Sequence, residues 1–180
     1  MESQMMKPSV GIILGDPAGI GPEIVIKLLT RPSTYSNANP VLIGNYELLC
    51  QTARRLDSEL FFTKCTPETI TKDYEEALIK GIPVVDVEGD IDLVTVGQVS
   101  AEAGRIAYKS IVCGYHMLEA GIIQGLIMGP INKQAIAESE CGYQSEYGIF
   151  AELSGASEVQ SVVKGGSLFR STVIGHVPFR

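Results

Sequence analysis

"VGIILGDPAGIGPEIVIKLL", residues 10–29, joins an apolar run to a helix-like run through a loop that holds three glycines, two prolines and one acid. Val10 to Leu14 reads as a strand buried on both faces, and Glu23 to Leu29 suits a helix, which is the opening unit of an α/β fold. Pro22 fits the first helical position, because its missing N–H would be unpaired there anyway. Gly19 and Gly21 permit positive φ and close approach by a ligand or another backbone. Free N–H groups and the helix dipole at this point would favour an anion. Two familiar phosphate loops are excluded. Gly15 to Gly21 is not followed by Lys-Ser/Thr, and Gly19-Ile20-Gly21 lacks the third glycine of the dinucleotide fingerprint.

Working outward, the elements alternate. Pro40 to Gly44 reads as a second strand and Tyr46 to Leu56 as a helix, with strand candidates at Leu60 to Thr63 and Pro83 to Val87 and a partly helical "TPETITKDYEEALIKG" between them. Ser100 is a good N-cap for the clearest helix, whose apolar stripe is Ala103, Ala107, Ile111, Gly114 and Leu118 and whose stop is Gly121. Gly125 to Met128 then looks like a buried strand that runs directly into "GPINK", residues 129–133. Ligands of open parallel α/β sheets sit beyond the carboxyl ends of strands, so Asn132 and Lys133 stand where a substrate group would be met. An ordinary turn with Lys133 solvated is the alternative.

Composition bounds the function. With 180 residues and 45% hydrophobic content the chain can bury a sizeable core. A net charge of −7 without any Lys/Arg run argues against nucleic acid and anionic membrane as partners. Cys50, Cys65, Cys113 and Cys141 are widely spaced, and the polar start "MESQMMKPSV" is unlike a signal peptide, so they read as reduced thiols of a cytoplasmic protein. No apolar stretch approaches a membrane span.

At this point the chain resembles a known family. "GDPAGIGPEI", "GQVSAEAGRIAYKSI", "GPINK", "AELSGA" and "STVIGHVPF" occur in the order found in 4-hydroxythreonine-4-phosphate dehydrogenases of vitamin B6 biosynthesis, and the resemblance runs the whole length. It implies a three-layer α/β/α fold like isocitrate and isopropylmalate dehydrogenases, with a mostly parallel sheet, two lobes around a cleft, and a homodimer. It also implies oxidation of a small phosphorylated hydroxy acid by NAD or NADP, loss of CO2, and a divalent metal (zinc, magnesium or cobalt) that polarises the alcohol oxygen.

Residue by residue, the resemblance makes His176 the first metal-binding histidine, at the end of a strand expected from Phe169 to Val177, whereas His116 matches no ligand and reads as a surface or packing residue. Lys133 is the candidate catalytic residue, with Asn132 beside it for substrate, and the two are expected to share a cleft with His176. Asp16, Gly19, Ile20 and Gly21 are expected on the cofactor side of that cleft. The family's Gly-His-Thr-Glu segment, which holds substrate, is replaced by Ser145-Glu146-Tyr147-Gly148, so Glu146 and Tyr147 occupy the substrate-binding positions of a histidine and a threonine. A carboxylate there would repel a phosphate that imidazole could hold. The family continues past Arg180 with two further metal ligands and much of a second lobe, so residues 1–180 are expected to form its N-terminal portion, inactive alone. A catalytically inactive homologue serving as a binding or regulatory subunit, and an unrelated phosphate-binding α/β module, are the alternatives.

Overall fold

The computed structural model describes residues 7–72, 74–157 and 159–171. Five parallel strands form one sheet: β1 (Ser9–Ile13), β2 (Asn39–Gly44), β3 (Phe62–Cys65), β4 (Ile82–Asp86) and β5 (Gly125–Met128), in the order β3-β4-β2-β1-β5. From β1 the chain first moves outward through β2, then returns to place β5 on the other side of β1. The strand order therefore reverses between β1 and β5.

Helices cover both faces. Ile12, Leu14, Leu42 and Val84 pack on α1 (Gly21–Leu29) and α2 (Tyr46–Arg55), while the alternate residues Ile13, Val41, Ile43 and Val85 pack on α5 (Ala101–Glu119) with Ile149 of α7 (Glu146–Ser154). This two-sided burial explains why β1 and β2 read as continuous apolar runs. Val41, Leu42 and Ile43 are completely buried, each such side chain contributing about 1.5–3 kcal/mol relative to exposure. The remaining helices are α3 (Pro67–Lys72), α4 (Tyr74–Lys80) and α6 (Lys133–Glu138). None of the helices among the described residues is long and apolar enough to cross a membrane.

Several local expectations shift. Gly21 takes the first position of α1 after Ile20 at the N-cap, which leaves Pro22 one residue further in. Neither Gly19 nor Gly21 has positive φ; the left-handed residue of the loop is Gly15, at φ +82°. Gly21 is needed for closeness instead, because a Cβ there would lie 2.0 Å from the Leu14 carbonyl oxygen. The buried stripe of α5 ends in Met117 rather than Leu118, which is 38% exposed, while Ser100 Oγ accepts from the Ala103 N–H as its N-cap role requires. The third strand begins at Phe62, two residues later than its apolar run.

The C-terminal part differs more. Val162–Gly165 (β6) and Leu168–Ser171 (β7) form an exposed antiparallel hairpin outside the main sheet. Only its second strand overlaps the one expected from Phe169 to Val177, and the rest of that stretch lies outside the described residues.

Candidate functional site

The loop after β1 and the turn after β5 are built against each other. The Asp16 N–H donates to the Pro130 carbonyl at 2.9 Å, and the Gly129 N–H donates to the Ile13 carbonyl at 2.8 Å. No side chain fits between them: a Cβ on Gly15 would lie 2.4 Å from the Pro130 oxygen, and one on Gly129 would lie 2.6 Å from the Leu14 oxygen. These contacts sit at the carboxyl ends of two neighbouring parallel strands where the strand order reverses, the position at which open α/β sheets bind ligands.

Asp16 is buried, and its Oδ1 accepts from the Ala18 N–H at 2.9 Å. Burial pushes its carboxyl above the usual range, opposed by the Ala18 N–H and by hydrogen bonding from the Asn132 side chain. Asn132 is the N-cap of α6: its Oδ1 accepts from Gln134 N–H at 3.0 Å and Ala135 N–H at 3.2 Å. Lys133, the first residue of α6, is exposed, and no carboxylate lies within ion-pairing distance of its amine among the described residues. Its position is fixed from behind, since α6 presses so closely on α5 that a Cβ on Gly104 would lie 1.9 Å from the Ala135 oxygen.

The four residues expected on the cofactor side divide. Asp16 and Gly21 are buried, whereas Gly19 is half-buried and Ile20 is 63% exposed. Glu23 stands in the first turn of α1, paired with Lys27, which holds its carboxyl below the usual range. A negative side chain in that turn already answers the helix dipole, so this end offers less to a phosphate than the bare loop would. The Gly97 N–H donates to the Ala18 carbonyl at 2.7 Å, which adds the exposed turn around Val96 and Gln98 to the loop's surroundings. Its only sequence signal is "GQVS", which otherwise reads as the approach to a helix.

Glu146 and Tyr147 open α7, which packs on α5. Tyr143, just before it, stacks on Tyr108 with ring centroids 5.8 Å apart, and its phenol is pushed up to about 12, first by its hydrogen bond with Glu152 and then by burial. Glu146 Oε2 is buried without a hydrogen-bond partner among the described residues, and Tyr147 is 40% exposed. His116 is on the surface, 3.6 Å from Glu119. His176 lies outside the described residues, so its sharing a cleft with Lys133 is not observed. Among the described residues no group of three His, Cys, Asp or Glu side chains could hold a metal ion. Recesses bounded by Thr63, Cys65 and Lys80, and by Ile26, Leu29 and Leu56, lie at the β3 edge and near the carboxyl ends of α1 and α2, away from these loops.

The fold is shared with known proteins. The family model of the pyridoxal phosphate biosynthetic protein PdxA matches residues 36–180. The chain belongs to the PdxA family. A protein of Oceanobacillus iheyensis with the provisional name D-threonate 4-phosphate dehydrogenase is 32% identical over 171 residues, which are 95% of this chain and 51% of that protein. One from Clostridium botulinum with the same provisional name is 33% identical over 178 residues, 97% of this chain and 51% of its own. The crystal structure of a 4-hydroxythreonine-4-phosphate dehydrogenase from Burkholderia phymatum superimposes with a TM-score of 0.82 at 28% identity, over 96% of this chain and 51% of the other. The enzyme of that name from Klebsiella pneumoniae shares the fold, with a TM-score of 0.77 at 24% identity, over 93% of this chain and 50% of the other. The chain thus spans about half the length of the PdxA-family relatives it matches.

Proposed function

We propose that this chain supplies the substrate-orienting half of an NAD(P)-dependent dehydrogenase that oxidises and decarboxylates a phosphorylated hydroxy acid such as D-threonate 4-phosphate or 4-hydroxythreonine 4-phosphate. The supporting observation is the junction of the β1 loop with "GPINK" at the strand-order reversal, from which the Lys133 amine emerges without an ion-pair partner among the described residues. An ammonium there orients a carboxylate or phosphate as a point charge. In such a reaction the carbinol carbon gives hydride to the nicotinamide, the hydroxyl gives up its proton, and the β-keto acid then loses CO2. The described residues do not compose a metal centre, and of the loop residues only Gly19 and Ile20 offer surface to a cofactor, so the chain's own part is charge and orientation. The metal, bound with His176, a homodimeric assembly, a cytoplasmic setting and a place in pyridoxal phosphate biosynthesis belong to the same proposal.

The test is binding and turnover of both phosphorylated acids with NAD+ or NADP+ and each divalent metal, followed by calorimetry and by the absorbance of the reduced nicotinamide. Binding of one acid that is lost in Lys133→Met supports the reading; unchanged binding in that variant refutes it.

A second reading, a binding or regulatory subunit without turnover, is favoured by Glu146, whose buried carboxylate oxygen stands at a position that the resemblance gives to a substrate-holding histidine. Half of an enzyme would also bind without turnover, so the selecting outcome is binding without turnover that persists, under every metal and cofactor, when the chain is joined to the C-terminal half of a PdxA-family relative.

A further inference from the structure

We infer that Glu102 is a positioning residue for the candidate site: its buried carboxylate holds the loop between β4 and α5 so that the turn at Gly97 grips the loop after β1. What a held β1 loop does for a ligand rests on the function proposed above; the holding itself does not.

Glu102 lies in the first turn of α5 with its side chain buried. A carboxylate so placed is costly unless its oxygens are taken up. Oε2 pairs with Arg105 on the same helix, while Oε1 accepts the Asp90 N–H at 2.9 Å from the loop. Gly89, beside Asp90, presses on the same part of α5: a Cβ there would lie 2.3 Å from Ile106 Cγ1 and 3.0 Å from Glu102 Oε1.

From Asp90 the restraint reaches the tip of the loop in short steps. Asp90 begins the 3-10 turn Ile91–Leu93, its Oδ1 accepting the Asp92 N–H at 3.1 Å, and the Leu93 carbonyl accepts from Ser100 Oγ at 3.0 Å. Glu102 and Ser100 thus fasten this turn at its two ends. Beyond it the Gln98 N–H donates to the Thr95 carbonyl at 3.1 Å, around Gly97 at φ +82°. The Gly97 N–H then meets the Ala18 carbonyl at 2.7 Å. Ala18 is held from its other side as well, its N–H donating to Asp16 Oδ1 at 2.9 Å. Next after it come Gly19 and Ile20, the surface that the β1 loop offers. Asn45 Nδ2 secures the start of the β4 loop separately, at the carbonyls of Val87 (3.1 Å) and Gly89 (3.4 Å). Loss of the Glu102 bond therefore frees what lies beyond Asp90, and the turn, left with Ser100 as its side-chain anchor, withdraws Gly97 from Ala18.

Nuclear magnetic resonance of the whole chain reads this contact at the Gly97 amide. A short hydrogen bond moves an amide proton downfield, and the position of the resonance reports native geometry, which a uniform loss of stability leaves alone. In Glu102→Ala the Gly97 proton should move upfield and exchange roughly ten- to a hundredfold faster, the factor for losing a hydrogen bond to a charged group, while the resonances of Leu42 and Ile43 stay in place. Glu102→Gln keeps an oxygen for the Asp90 N–H and should restore the Gly97 resonance. An unmoved Gly97 resonance in Glu102→Ala, or a Gln variant that behaves like the Ala variant, overturns the inference. If Glu102→Ala does not fold, Asp90→Pro decides in the same manner: it removes the N–H at φ −86°, near the value proline imposes, and Asp90→Ala, which keeps the N–H, is its control. NAD+ affinity, measured by calorimetry, should fall about tenfold in Glu102→Ala, because the loop must then be ordered on binding, and recover in Glu102→Gln. Undiminished affinity alongside a displaced Gly97 resonance would overturn the service of this loop to the site. Absence of NAD+ binding in every protein, wild type included, would count against the proposed function alone, with the Gly97 resonance still deciding the role of Glu102.

Discussion

The main-chain N–H of Asp16 donates to the Pro130 carbonyl at 2.9 Å, and this bond fastens the loop after β1 to the turn after β5. It requires a residue without a side chain beside it. Gly15, at φ +82°, would carry a Cβ only 2.4 Å from the same Pro130 oxygen. Gly15→Ala meets both a disfavoured backbone and a collision with backbone atoms, and should lower stability by about 2–4 kcal/mol in urea unfolding. Gly165→Ala is the control: it lies in the exposed hairpin with nothing within 4 Å and no positive φ, and should change stability by less than about 0.5 kcal/mol. Equal effects of the two would show that the β1 and β5 loops are not in contact.

Asn132 and Lys133 are neighbours with separable tasks. Asn132→Ala removes the α6 cap and should cost about 1 kcal/mol of stability. Lys133→Met removes an exposed amine with no ion-pair partner among the described residues, so stability should stay within about 0.5 kcal/mol. Its expected effect is on ligand. Loss of one charged contact weakens binding of a phosphorylated hydroxy acid by about ten- to a hundredfold. Chemical denaturation and calorimetry on the same two proteins check the division; a large stability loss in Lys133→Met would place that side chain in a structural role.

How much of this was legible in the sequence depended on whether the signal was local. The strand-loop-helix at residues 10–29 was readable because two-sided burial leaves an unbroken apolar run and the loop is dense in glycine and proline. The location of Asn132 and Lys133 followed from a strand ending at Met128. What could not be read was the contact between two loops more than a hundred residues apart in sequence. By local pattern Gly15 is merely the start of the loop and Gly19 and Gly21 are its flexible points, because which glycine adopts positive φ is set by the approach of Pro130, a long-range contact. Asp16 reads from local pattern as a ligand group, and no sequence signal marks its burial or the bond that it accepts from the Ala18 N–H. The hairpin Val162–Ser171 escaped notice for another reason: both strands are short and exposed, and alternation over four residues is a weak signal beside a motif that follows it.

Asp16 should also leave a mark on the pH dependence of stability. Burial raises its carboxyl pKa in the folded chain, outweighing the Ala18 N–H and the Asn132 amide, which both pull it down. The native state therefore holds the proton more tightly than the unfolded state does. The stabilisation that follows is complete below the unfolded pKa and is lost as pH rises through the folded one, with a slope that cannot exceed about 1.4 kcal/mol per pH unit. Asp16→Asn has no such proton, while the other carboxylates are common to both proteins and cancel in a comparison. The difference in unfolding free energy, wild type minus Asp16→Asn, should accordingly fall as pH is raised from the acid side of the carboxylate range toward neutrality, then level off. Hydrogen bonds that an amide cannot make in place of the carboxyl shift the whole curve without tilting it. Urea titrations of both proteins at successive pH values measure the curve, and a difference that climbs with pH would mean that the bonds to Ala18 and Asn132 outweigh the cost of burying the charge.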